Sequence, residues 1–119
     1  MKTQIRRPSR VGELIREQIS VLMPELRDPR IGLATVTEVK MSPDLKHGRV
    51  YVSILGDAEE RARTLAGLNS AASHLRHEIG ARLRLRNTPD LMFLYDESIE
   101  YGARIEELIA KAKQSSGSD

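Results

Sequence analysis

Arginine carries most of the chemistry available to this chain, and it comes in clusters. Lys2, Arg6, Arg7 and Arg10 occupy the first ten residues with no acid among them. Arg76, Arg82, Arg84 and Arg86 form a second group, diluted by Glu78. Fourteen of the 19 cations are arginines, and a planar guanidinium fork suits phosphate oxygens better than an ammonium does. Formal net charge is only +2. The signal is therefore segregation, since acids gather elsewhere at Asp96, Glu97, Glu100, Glu106 and Glu107. Such segregation points to a polyanionic partner, with an ordinary solvated surface of mixed charge as the plainer alternative.

Other reactive groupings are thin. His74, His77 and Glu78 read H-x-x-H-E, which is neither of the zincin orders H-E-x-x-H and H-x-x-E-H. No third ligand is identifiable, so no metal is expected; protonated, the two histidines would add to the positive patch. Serine nucleophile elbows, phosphate-binding P-loops and dinucleotide fingerprints are missing. Asp44 and Asp57 fall at turn and cap positions, which explains them without catalysis. The expectation is a protein with no catalytic residues and no cofactor, not an enzyme.

Composition narrows the class further. A chain of 119 residues suits one domain, able to bury roughly two thirds of its unfolded surface. There is no Trp, one Phe and three Tyr, so the core must be aliphatic. Few rings remain for stacking splayed bases, which argues against a single-strand reader of the RRM kind. Cysteine is absent, which excludes disulfides and thiolate metal sites. No apolar run is long enough to span a membrane. The basic start MKTQIRRPSR is interrupted by polar residues where a signal peptide would need its apolar core. A soluble cytoplasmic protein is expected.

The elements that must hold these cations can be placed. Residues 1–9 read as a basic N-terminal arm. Val11, Leu14, Ile15, Ile19 and Leu22 make one apolar face of a helix from Arg10 to Met23. Ser9 is a candidate cap, but Gly12 stands where a capping box wants Glu. Pro24 should end that helix, and Asp28-Pro29 reads as a turn. From Ile31 to Met41, Ile31, Leu33, Thr35, Thr37, Val39 and Met41 alternate with Glu38 and Lys40, predicting a half-buried strand. Ser42-Pro43-Asp44 is a turn, and Val50, Val52 and Ile54 mark a second strand, antiparallel to the first.

Asp57 and Glu60 form a D-x-x-E helix start. The following apolar stripe weakens around Gly67, Asn69, Ser70 and Ser73, poor helix formers. Two helices meeting at a kink are therefore expected. Leu91–Tyr95 is short enough for an interior strand. A last helix carries Ile99, Ile105, Leu108, Ile109 and Ala112, and residues 114–119 read as a disordered tail. The domain proper is residues 10–113, an α+β layout of one small sheet covered by helices.

RRPSRVGELIREQIS, DPRIG, VTEVKMSPDL, VYVSILGD and RLRNTPDLMFLYDESIEYGARIEELI, in that order, resemble the ribosome-binding factor A family. RRPSRVGELIREQIS is similar to the family's first helix. DPRIG, VTEVKMSPDL and VYVSILGD form the specific core of the match, and RLRNTPDLMFLYDESIEYGARIEELI is similar to its closing strand and the segment after it. The resemblance runs from about Arg7 to Ile109. It implies a type II KH-like domain in the order α-β-β-α-kink-α-β plus a C-terminal helix, with a three-stranded sheet packed against helices. It also implies a monomer that binds the immature 30S subunit and its 16S rRNA, assists late maturation and 5′-end processing, matters for growth in the cold, and is released by an assembly GTPase. No membrane is involved. In place of the GXXG loop of KH domains, the family has an Ala-x-Gly kink. That position here is Ala71-Ala72-Ser73, with Ser where the family has Gly, which puts the geometry in question because Ser tolerates positive φ poorly.

The candidate RNA-binding residues are Arg6, Arg7, Arg10, Lys46, Arg49, Arg76, Arg82, Arg84 and Arg86. If RLRLR at 82–86 is extended, its three arginines share a face; if helical, they spread around it and complement the helix dipole. The N-terminal arginines either follow an RNA groove or form a solubilising tail. Small residues at the kink either admit an RNA backbone or let the helices pack closely on the sheet. A protein-interaction module without direct RNA contact, docking through a sheet edge or the C-terminal helix, is the alternative from another class.

Overall fold

The computed structural model describes residues 7–117, without the side chains of 99–103 and 114–117. Arg6 lies outside the described residues. Helix α1 spans Pro8–Leu22 and starts two residues earlier than its apolar face suggests. Pro8 stands in its first turn, where a fixed φ suits a helix and a missing N–H costs nothing. The cap residue is Arg7, extended at φ −73° and ψ 144° with no side-chain cap bond, so Ser9 is not the cap. Val11, Ile15, Ile19 and Leu22 are buried along one stripe. Pro24 closes the helix through a 3₁₀ turn, Met23–Glu25.

Strands β1 (Ala34–Met41) and β2 (His47–Ile54) pair antiparallel. Strand β1 departs from strict alternation. Its register shifts between Val36 and Glu38, a bulge that makes Thr37 an extra residue and changes the inward parity. Val36 and Val39 are therefore the buried pair, while Thr35 is exposed. Leu33 precedes the strand and is 73% exposed, so the expected face from Ile31 to Thr37 does not form. The Thr37 hydroxyl donates to Asp96 Oδ2 at 2.5 Å, which ties the bulge to the end of the last strand.

Helix α2 (Ala58–Ser70) opens with a complete capping box. Asp57 accepts from the Glu60 N–H at 2.8 Å, and Glu60 accepts from the Asp57 N–H at 3.0 Å. Helix α3 (Ala72–Leu83) follows across Ala71, whose φ −87° and ψ −2° make the kink. No left-handed residue is used there. Ser73 in place of glycine therefore imposes no backbone penalty, which removes the question raised by the sequence.

Strand β3 (Asp90–Tyr95) runs parallel to β2 and completes a mixed sheet in the order β1-β2-β3. Helices α1, α2 and α3 cover one face of it. Phe93, Ile15, Ile19, Leu68, Leu75, Ile79, Val50 and Val52 are fully buried between the layers. This is the KH-like order the resemblance implies. Helix α4 (Ser98–Gly117) comes last and runs beyond Lys113, into residues read from sequence as tail. Among its described side chains Ile105, Leu108 and Ile109 are exposed.

Strand β3 is an edge strand, and its outward backbone groups need partners. Asn69, in the last turn of α2, supplies them at Phe93. Its Oδ1 accepts from the Phe93 N–H at 2.8 Å and its Nδ2 donates to the Phe93 carbonyl at 3.2 Å. Asn69→Ala removes both bonds and is expected to cost about 1–2 kcal/mol, since the site is partly solvated. Urea denaturation should show a lower midpoint with an unchanged m value.

Candidate nucleic-acid interface

Three segments distant in sequence meet at one end of the molecule: the start of α1, the β1–β2 hairpin tip, and the loop from α3 to β3. Each is fixed locally. Gly12 lets α1 approach β1 closely, since a Cβ there would lie 2.5 Å from the Val39 carbonyl oxygen. At the tip, the Ser42 hydroxyl donates to Asp44 Oδ1 at 2.6 Å and the Lys46 N–H donates to the same oxygen at 3.0 Å. These donors, the hydroxyl foremost, hold the Asp44 carboxyl below its ordinary pKa, so it stays ionised. Leu45 completes the turn in the left-handed region, at φ 61°.

Helix α3 ends at Leu83 with Arg84 left-handed at φ 54° and ψ 45°, a position usually given to glycine. The Arg84 and Leu85 N–H groups both donate to the Gly80 carbonyl. RLRLR is thus neither extended nor wholly helical. Arg82 stays on the last helical turn, 4.0 Å from Glu78. Arg84 and Arg86 leave it and turn toward the hairpin.

The three segments enclose a cleft of about 370 Å³. Val11, Leu45, Leu85 and Pro89 supply its apolar lining. Lys46, Arg84 and Arg86 supply its cations, and Asp44 is the one acid lining it. Those three cations are exposed and make no ion pair with any described residue. Among the described residues, Arg10, next to Val11, forms an exposed contact with Glu13 at 3.8 Å, worth little in water. Arg7 is exposed at the cap of the same helix.

The other candidates are placed differently. Arg76 Nε donates to the Thr88 carbonyl at 3.1 Å, and Arg76 Nη1 lies 3.8 Å from Asp90 Oδ1. Arg76 therefore fastens α3 to the loop before β3. It borders a second groove of about 480 Å³ with Ser73, His77, Gly80 and Thr88. Ala71 and Ala72 are half-buried against the core, whereas Ser73 is exposed in the groove. Packing thus takes the first two kink residues and leaves the third to solvent.

Arg49 is not with the cleft. It lies on the open face of the sheet, away from the helices, in register with Lys40 on β1 and Met92 on β3. Lys40 Nζ sits 6.0 Å from the Tyr51 ring centroid. Reading the sequence missed Lys40, although counting back across the Ser42–Lys46 turn pairs it with Arg49. His74 and His77 are exposed on α3, and no group of three or more metal-ligating side chains occurs among the described residues. No helix among the described residues is long and apolar enough to cross a membrane.

Comparison with known proteins decides the family. The sequence profile of ribosome-binding factor A matches residues 7–109. This chain belongs to the ribosome-binding factor A family. Ribosome-binding factor A of Halothermothrix orenii is 46% identical over 120 residues, covering 100% of this chain and 97% of that protein. The crystal structure of ribosome-binding factor A from Thermus thermophilus gives a TM-score of 0.66 at 28% identity, over 76% of this chain and 97% of that one. A homology model of the Thermus thermophilus ribosome-binding factor A, fitted into a cryo-EM map of a 30S complex, gives 0.64 at 28% identity, over 76% and 96% of the two chains.

Proposed function

We infer that this protein is a non-enzymatic, cytoplasmic, monomeric assembly factor that binds the immature small ribosomal subunit through its 16S rRNA. The observation that carries the reading is the gathering of Lys46, Arg84 and Arg86 around one cleft, beside Arg7 and Arg10 at the start of α1. Unpaired cations on a rigid platform suit phosphates held at fixed positions by folded RNA. Contacts of that kind set register and orientation and read shape more than base edges. Membership of the family, and a relative fitted to a 30S complex, support the small subunit as the RNA's source. Within that reading the factor assists late maturation and 5′-end processing, supports growth in the cold, and leaves with the help of an assembly GTPase.

Co-sedimentation with salt-washed small subunits, set against naked 16S rRNA, tests the reading. Binding to subunits should fall steeply as salt rises, because each neutralised phosphate releases counterions. A second reading, docking of a protein alone, is favoured by the exposed Ile105, Leu108 and Ile109 of α4. Failure to bind subunits and rRNA alike would support it and remove the first.

A further inference from the structure

The geometry points to the cleft between the hairpin tip and the α3–β3 loop as a receptor for one unpaired nucleotide of RNA, its base against the apolar lining and its phosphates on the cationic rim. This rests on the RNA-binding reading above and specifies where within the RNA one contact falls. A surface that only neutralised phosphate would need no apolar interior. Here the half-exposed Leu45 and Leu85 line a cavity of about 370 Å³ whose wall also includes the buried Pro89, at the small end of the roughly 300–1,000 Å³ range of ligand pockets. Lys46, Arg84 and Arg86 border the same space, so charge and apolar surface are offered together, as a nucleotide requires. A duplex cannot insert a paired base. The occupant must come from a bulge, loop or strand end, the elements of RNA in which bases are free to turn outward.

The backbone around the cleft agrees with a built site. Leu45 and Arg84 are the non-glycine residues with positive φ among those described, and both line this cleft. Left-handed backbone is costly for a leucine or an arginine and persists where the surroundings enforce it. At Leu45 it accompanies a side chain partly buried against the core at the edge of the cleft; at Arg84 it releases the guanidinium from the helix axis toward the rim.

The absence of an aromatic ring in the lining sets a modest expectation. Base–aromatic stacking gives about fivefold or more per base, and an aliphatic lining should deliver the low end of that. The test compares two octameric RNA probes of equal charge, oligouridine and an abasic ribose-phosphate chain, by fluorescence anisotropy. The protein should bind oligouridine about fivefold tighter. A double variant, Leu45→Gly with Leu85→Ser, should bring the ratio to about one. It retains every cation, so its salt slope should not change. Glycine suits the left-handed position, and circular dichroism of the variant verifies its fold.

Equal affinity of the unaltered protein for both probes, or binding to neither, overturns the proposal without using any variant. A folded double variant that keeps the preference overturns it as well. Parallel sedimentation with small subunits separates the two readings. Subunit binding with equal probe affinities leaves the assembly-factor reading standing and removes the nucleotide cleft. Base preference without subunit binding does the reverse.

Discussion

Replacing Lys46, Arg84 and Arg86 together by glutamine lowers affinity for small subunits by roughly two orders of magnitude near physiological salt. The estimate follows from counterion release. Each lost phosphate contact takes about 0.7–0.9 from the slope of log K against log salt, so three should flatten it by about 2–3. All three side chains are exposed and make no ion pair with a described residue, so their removal should leave folding intact. Arg82→Gln is the control. Arg82 stays on α3 near Glu78 and does not line the cleft, so its loss should move affinity and slope little. Arg76→Gln is a poorer probe, because Arg76 bonds the Thr88 carbonyl and its loss would mix stability with binding. Equal effects of Arg82→Gln and the triple variant would mean that the cleft is not the contact.

Gly12→Ala should destabilise the fold by about 2 kcal/mol, the upper end of an overpacking cost less the helix gain, against the usual preference of helices for alanine. That preference alone would stabilise α1 by about 1 kcal/mol. Opposing it, the new methyl would lie 2.5 Å from the Val39 carbonyl oxygen, and that oxygen belongs to a strand paired with β2. Neither side yields without moving α1 off the sheet, and overpacking of this kind costs about 1–3 kcal/mol or more. Thermal denaturation should show a midpoint lower by roughly 10 °C. Affinity for subunits should fall as well, since α1 brings Arg7, Arg10 and the Val11 wall to the cleft. A more stable protein would show that helix propensity outweighs the close approach.

Periodicity revealed most of the fold because most elements here obey their local rules. The Asp57–Glu60 box, the Pro24 stop and the alternation of Val50, Val52 and Ile54 all stand where the sequence places them. The weak helix formers around Ser70 marked the kink correctly, yet the bonds of Asn69 to Phe93 are tertiary and leave no local trace. Strand β1 misled for a definite reason. Threonines at 35 and 37 extended an apparent alternation, and a one-residue bulge has no compositional signature. Val36, an aliphatic residue on the supposed polar face, was the available clue.

The candidate site was legible by charge and illegible by shape. Arginine clusters can be seen in sequence, but the way RLRLR leaves its helix depends on Arg84 adopting a conformation that glycine normally takes. Nothing in the residues announces that, since the next strong breaker is Pro89. The apolar lining escaped notice because Leu45 and Leu85 are ordinary leucines until distant segments bring them together. Charge alone puts Arg49 among the RNA-binding candidates, whereas strand pleating turns it to the face of the sheet away from the buried Val50 and Val52.

The chain contains no cysteine, which permits directed hydroxyl-radical probing from single introduced thiols. An iron chelate tethered through Asn87→Cys, at the cationic end, should cleave 16S rRNA strongly in the bound subunit. The same chelate tethered through Leu33→Cys, an exposed position outside the cleft, should cleave it weakly. Strong cleavage from position 33 with none from position 87 would contradict the claim that this end of the molecule meets the RNA.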